Sequence, residues 1–179
     1  MKTFIREFLT VLIIAAVLIV GLQVVIQKFV VDGPSMGTSF RDGQQVLVNK
    51  VVYKFHEPER GDVIIFRPPE NETDDYIKRI VGLPGESVEI KDGKVYIHEG
   101  NGTTLPLDEP YITQIARESF TGNIIPENEY FVLGDNRNNS SDSRSDWTVP
   151  FQNIIGKAWV SVWPPDRWGL VVNHLESYQ

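Results

Sequence analysis

Ser87-Val88-Glu89-Ile90-Lys91-Asp92-Gly93-Lys94-Val95-Tyr96-Ile97-His98 decides the fold class. Apolar and polar residues alternate on both sides of Asp92-Gly93, a dipeptide suited to the positive φ angles of a two-residue hairpin turn. Working outward, Gln45–Asn49, Asp62–Phe66, Tyr76–Leu83, Tyr130–Leu133 and Ile155–Trp163 also have strand character, with Gly, Pro, Asn and Asp between them. No long amphipathic helix follows Lys28, so the expected fold is mainly β. Pro68–Asp75 and Glu99–Asn128 read as loops or small insertions, and there is no internal repeat.

The front of the chain has a different composition. Phe8 to Gln27 is free of charge and consists mostly of Leu, Ile, Val and Ala. As a helix at about 1.5 Å per residue it spans roughly 30 Å, the hydrocarbon thickness of a bilayer. A cleaved signal peptide has a shorter apolar region, roughly 7–15 residues, and a small-x-small cleavage site, whereas Gln27-Lys28-Phe29-Val30-Val31 is bulky. The expected organisation is a tail over 1–7, a transmembrane anchor over 8–27 and a β-rich domain over 28–179. Lys2, Arg6 and the α-amine before the span nearly balance Lys28, Arg41 and Lys50 after it, so charge leaves the orientation open.

The 179 residues carry 17 basic and 24 acidic side chains, net −7; outside Lys2, Arg6, Glu7 and Lys28 the balance is 14 to 23, net −9. That acidity argues against a nucleic-acid partner and against tight binding to an anionic membrane surface. Without cysteine there is no disulfide framework, zinc ribbon, iron–sulfur cluster or thiol nucleophile, and neither a metal nor a cofactor is expected.

Candidate chemistry begins at Gly33-Pro34-Ser35-Met36, eight residues past Gln27 and hence at most about 26–29 Å from it. A serine in a Gly/Pro loop is by itself a turn residue; it becomes a nucleophile only with a base. His56, His98 and His174 read more simply as surface or packing residues. The other candidate base is Lys78. On a strand, Lys78 shares a face with Tyr76 and Ile80, and Arg79 the opposite face with Ile77 and Val81, so one cation must point toward an apolar side. Desolvation lowers a lysine pKa and makes it a usable base; the plainer alternative is an edge strand guarded by two charges. Tyr130–Leu133 then empties into Gly134-Asp135-Asn136-Arg137-Asn138-Asn139-Ser140-Ser141-Asp142-Ser143-Arg144. Here Asp142 and Arg144 are placed to pair, Asp135 and the asparagines to bond backbone amides, and Ser140 to offer a hydroxyl to a lysine amine. Counted from Asp142 as a calcium loop, Arg144 and Trp147 occupy the third and sixth positions, which rules that loop out.

Ser35-Met36, the run Lys78–Glu86 and the run Gly134–Arg144 together closely resemble the signature boxes of bacterial type I signal peptidases, membrane-anchored Ser–Lys endopeptidases. The resemblance covers nearly the whole chain, including the anchor, Arg60-Gly61-Asp62-Val63 and Ile154-Ile155-Gly156-Lys157-Ala158. It implies a β-sheet catalytic domain outside the cytoplasm and an N-terminus inside. It implies Ser35 as the acyl-forming nucleophile, Lys78 as general base, Ser140 as the hydroxyl orienting the lysine, and Asp142–Arg144 as a structural ion pair. The Ser35 backbone N–H would meet the oxyanion; where some relatives place a second donor hydroxyl this chain has Gly33. The implied substrates are the signal peptides of exported preproteins, with small residues at −3 and −1, cut at the membrane near the export translocon.

One departure stands out. The family usually reads Ser-Met-any-Pro-Thr, and this chain has Ser35-Met36-Gly37-Thr38-Ser39. Losing proline's fixed φ is expected to loosen the loop after the nucleophile. It is also the one feature favouring a catalytically silent, membrane-anchored binding homologue; a soluble Ser–Lys self-cleaving protease is disfavoured by the anchor. Phe29, Met36 and Phe40, beside Ser35, are expected to help dock the domain on the bilayer.

Overall fold

A computed structural model describes residues 2–70 and 73–172; His174 lies outside the described residues. Helix α1 covers Lys2–Val25, so Arg6 and Glu7 belong to the helix rather than to a preceding tail. Ile26 and Gln27, expected at the end of the span, instead open strand β1 (Ile26–Val30) and pair with Asn49 and Val48 of β2 (Gln45–Asn49). β-branched residues at the helix end make this change of conformation inexpensive.

The strands that follow are β3 (Val63–Phe66), β4 (Tyr76–Gly82), β5 (Ser87–Lys91), β6 (Lys94–His98), β7 (Thr104–Pro106), β8 (Phe120–Thr121), β9 (Glu129–Leu133), β10 (Val149–Pro150), β11 (Ile154–Trp163) and β12 (Gly169–Leu170). The fold is mainly β, as expected. One sheet runs β1-β2-β11-β3-β4-β9-β10, with β12 added beside β11; a second runs β7-β6-β5-β8. Asp92 and Gly93 turn the β5–β6 hairpin at φ 50° and 75°, the left-handed values their dipeptide favours. The segment 99–128 is not all loop: β7 and β8 lie within it, completing both edges of the second sheet. Neither has a long alternating run; each is recruited by pairing with β6 or β5.

Two cores flank β4. Ile77 packs with Val31, Met36, Phe40, Val46, Val48 and Val63, while Ile80 packs with Ile64, Phe66, Tyr130 and Val132. β4 is buried on both faces and lies between β3 and, from Arg79 onward, β9, so Lys78 and Arg79 are buried rather than exposed charges guarding an edge. Met36 and Phe40 lie in the core, 0% and 5% exposed, and Phe29 packs partly against it. The expectation that Met36 and Phe40 face the bilayer is therefore corrected: the turns Gly37 N–H to Pro34 C=O and Phe40 N–H to Met36 C=O fold both side chains inward.

Candidate active site

Three chain segments far apart in sequence meet at one end of β4. The first is the turn after β1. Gly33, at φ 83°, gives its N–H to Asp42 (2.9 Å), and the chain then turns tightly through Ser35. Gly37 is needed in that turn, since a Cβ there would lie 2.9 Å from the Pro34 carbonyl oxygen. Asn136 ties this turn to the loop after β9: its backbone N–H donates to the Ser35 carbonyl (2.9 Å) and its side-chain amide to the Pro34 carbonyl (3.0 Å).

The second segment is β4. Lys78 is 4% exposed, and its Nζ lies 2.8 Å from Ser35 Oγ and 2.9 Å from the Ile77 carbonyl oxygen, with the Tyr76 ring 5.2 Å away. Burial lowers its pKa to about 8, against the opposing pull of Asp142 and Asp135. A lysine in this state is half neutral near pH 8 and can accept a proton, which an exposed one at its usual pKa cannot.

The third segment is the loop from Gly134 to Arg144. A Cβ on Gly134 would collide with the Ser140 hydroxyl and come within 2.6 Å of the Ser35 carbonyl oxygen, so only glycine lets the loop close against the serine turn. Ser140 Oγ is buried there without a hydrogen-bond partner among the described residues, and it makes no bond to Lys78. Asp142 grips Arg144 through Nε (2.8 Å) and Nη2 (3.0 Å) and also accepts from the Gly134 N–H (3.1 Å). Ser35 and Lys78 line a cleft of about 450 Å³ together with Phe29, Asp32, Tyr76 and Ile77.

The residues 2–163 match the family described as signal peptidase, peptidase S26. The chain belongs to the signal peptidase I family. It is 38% identical to a probable signal peptidase I-1 of Synechocystis, over 93% of this chain and 86% of that one. It is 40% identical to signal peptidase I of Leptolyngbya laminosa, covering 84% and 79%, and 35% identical to signal peptidase IB of Staphylococcus aureus, covering 92% of each. A crystal structure of a signal peptidase I from Enterococcus faecalis superposes with a TM-score of 0.50 at 34% identity, over 57% of this chain and 97% of that one.

Around the peptidase cleft stand groups the sequence did not disclose. Arg79, 1% exposed, forms a two-pronged pair with Asp135 (Nε–Oδ1 3.0 Å, Nη2–Oδ2 2.8 Å), donates to the Gly61 carbonyl (2.8 Å) and stacks 4.0 Å from the Tyr111 ring. Asp135 also accepts the Ser39 hydroxyl, so it supports the serine turn rather than backbone amides. Arg137 is held by Glu109, and Arg60 by Glu86. Arginine next to lysine in β4 was the only hint; its partners lie far along the chain. His98 bonds Glu89 and Thr104 in the second sheet, and His56 is exposed.

Proposed function

We propose that the chain removes signal peptides from exported preproteins by a Ser–Lys mechanism, with Ser35 as nucleophile and Lys78 as general base. The observation that carries this reading is the 2.8 Å contact between Ser35 Oγ and a buried Lys78 amine whose pKa is lowered to about 8. Neutral Lys78 takes the serine proton as Oγ attacks the scissile carbonyl, then returns it to the leaving amine; water repeats the cycle on the acyl-enzyme. The Ser35 N–H, without a partner among the described residues, is the oxyanion donor of this proposal. Gly33 gives its own N–H to Asp42, so it offers the oxyanion neither a hydroxyl nor that amide. The Ser140 hydroxyl, buried without a partner among the described residues, is the orienter of Lys78 in this reading, and Asp142–Arg144 holds the loop that carries it.

The substrate enters as an extended strand. β1 ends its sheet with one edge unpaired, and Tyr76 to Lys78 have β3 on one side only, because β9 joins β4 from Arg79 onward. A peptide laid between these two edges can bond to both, with small side chains fitting against Phe29 and Ile77. Cleavage takes place on the outer membrane surface beside the translocon, with the N-terminus inside and the domain from residue 28 outside. Bilayer contact on the domain falls to exposed Trp159, Trp163, Trp168 and Leu170 on β11, β12 and their connection, in place of Met36 and Phe40.

The test is cleavage of a preprotein in detergent micelles, with the product's new N-terminus determined and the acyl-enzyme trapped on Ser35. The pH profile is a further expected outcome. Because only neutral Lys78 accepts a proton, kcat/KM should rise with pH through an apparent pKa near 8 and level off above it. Stability should change in the same direction. Folded Lys78 gives up its proton near 8 while the unfolded chain holds it to about 10.5, so stability grows with pH between those values. A profile flat between pH 7 and 9, with chemistry rate-limiting, would remove Lys78 as the base.

The altered serine turn is tested by Thr38→Pro. Among the described residues the Thr38 N–H has no hydrogen-bond partner and its hydroxyl is buried unbonded, while the preceding Gly37 has no Cβ to oppose a proline ring. The substitution should raise stability by about 0.4–1 kcal/mol, read from the denaturant midpoint, and leave cleavage intact. An inert wild type beside an active Thr38→Pro would identify the chain as a silent homologue.

A further inference from the structure

The strongly acidic domain has a lysine-rich corner at the foot of the apolar helix. From Phe4 to Val24 every side chain of α1 is exposed, with Leu12, Ile13, Val17 and Leu18 between 49% and 65%, as suits a helix surrounded by lipid rather than by its own domain. Lys50 is tied to the end of that helix: it gives its backbone N–H to the carbonyl of Val25, the last helical residue, at 2.9 Å. Immediately beyond, a cavity of about 220 Å³ opens between the short 3-10 turns Val52–Lys54 and Phe151–Asn153, lined by Lys50, Tyr53, Lys54, Phe151 and Ile155.

The ammonium groups of Lys50 and Lys54 form no ion pair among the described residues, and neither does that of Lys28, exposed on β1 three residues past the helix. The carboxylate beneath the cavity, Asp62, is 1% exposed and already held by Lys157 (2.5 Å) and the Tyr53 hydroxyl (2.9 Å), so it does not neutralise the two rim lysines. Phe55, 77% exposed, and Phe151, 39% exposed, stand beside the lysines, an apolar and cationic combination suited to the headgroup layer.

We propose that this cavity binds the phosphate of an anionic phospholipid headgroup in the outer leaflet and so fixes the rotation of the domain on the membrane. The proposal rests on reading α1 as a bilayer anchor. Charge complementarity supports it: with a net −9 outside the N-terminal segment, the domain is repelled by an anionic surface in most orientations and attracted through this corner. The expectation from net charge, that an anionic surface is not a partner, therefore holds for the domain's average and not for the face next to the helix.

Absence of cysteine makes the test direct, since one introduced cysteine takes one label. The full chain carrying Gln152→Cys at the cavity rim, labelled with a fluorophore, is reconstituted in vesicles of phosphatidylcholine alone or mixed equally with phosphatidylglycerol. The expected result is that quenching by a water-soluble agent falls by about threefold in the mixed vesicles, that Lys50→Gln with Lys54→Gln abolishes the difference, and that Lys91→Gln with Lys94→Gln on the distant hairpin leaves it unchanged. Equal quenching in the two lipids overturns the proposal. So does equal protection by inorganic phosphate added to phosphatidylcholine vesicles, which would make the cavity a site for free anions. A second label at Leu18→Cys separates the two readings: if it is open to water the anchor itself fails and the headgroup site with it, whereas a buried Leu18 label with lipid-indifferent Gln152 overturns the headgroup site alone.

Discussion

Lys78→Arg should lower preprotein cleavage to the level of Ser35→Ala, with both variants folded. Arginine keeps a long cationic side chain at the position but stays protonated at every pH the protein survives, so it cannot take the proton of Ser35 Oγ. The two expected losses are alike because, in the proposed mechanism, the 2.8 Å contact joins nucleophile and base into one unit, so that removing either leaves the other with nothing to do. A loss of about 10³-fold or more in kcat/KM is the scale expected when such a unit is broken. Ser140→Ala should cost less, since it removes an orienting hydroxyl and leaves the proton acceptor in place. Steady-state cleavage with circular dichroism on each variant provides the measurement. Substantial turnover by folded Lys78→Arg would transfer the base role elsewhere, and a folded but dead His56→Ala or His98→Ala would point to histidine.

The largest effect on stability is expected at Asp135. Its carboxylate is the counter-charge of Arg79, and both side chains are at most 1% exposed. Replacing Asp135 with alanine removes that counter-charge from a buried guanidinium whose other described contacts include the Gly61 and Val172 carbonyls and the Tyr111 ring. Stranding one partner of a buried pair costs about 3–5 kcal/mol, a large part of the roughly 5–15 kcal/mol that holds a typical domain folded. The same change frees the Ser39 hydroxyl, so the turn carrying Ser35 should loosen before the whole domain unfolds. Denaturant unfolding followed by tryptophan fluorescence checks the first effect. Cleavage at denaturant concentrations below the transition checks the second. A midpoint equal to that of wild type would mean that Arg79 finds another anion.

Lys78 and Arg79 show how far the sequence could be read. Alternation placed them on opposite faces of a strand, with Ile80 beside one and Ile77 beside the other, and the two cores around β4 have that arrangement. Alternation could not show that both faces are buried, which depends on Met36 and Phe40 packing into one core and Tyr53 and Trp147 against the other. Nor could it show that the two cations are accommodated differently: desolvation makes Lys78 give up its proton more readily, at a pKa of about 8, while Arg79 is paired with Asp135, 56 residues away.

Short-range pattern by itself determined the β character, the Asp92-Gly93 hairpin, an apolar helix long enough for a bilayer, and the three boxes that resemble a peptidase family, because each depends on residues within one turn or one strand of each other. Tertiary structure decided the rest. The helix stops at Val25 because Ile26 and Gln27 find partners on β2. Met36 and Phe40 turn inward because the serine turn folds over the core, and Lys50 and Lys54 of an acidic chain gather near the helix foot because the end of β2 and the turn after it meet the helix there. Those outcomes depend on contacts between segments that a local pattern does not couple: the free energy of burying an apolar face or pairing a charge exists only once the distant partner has arrived.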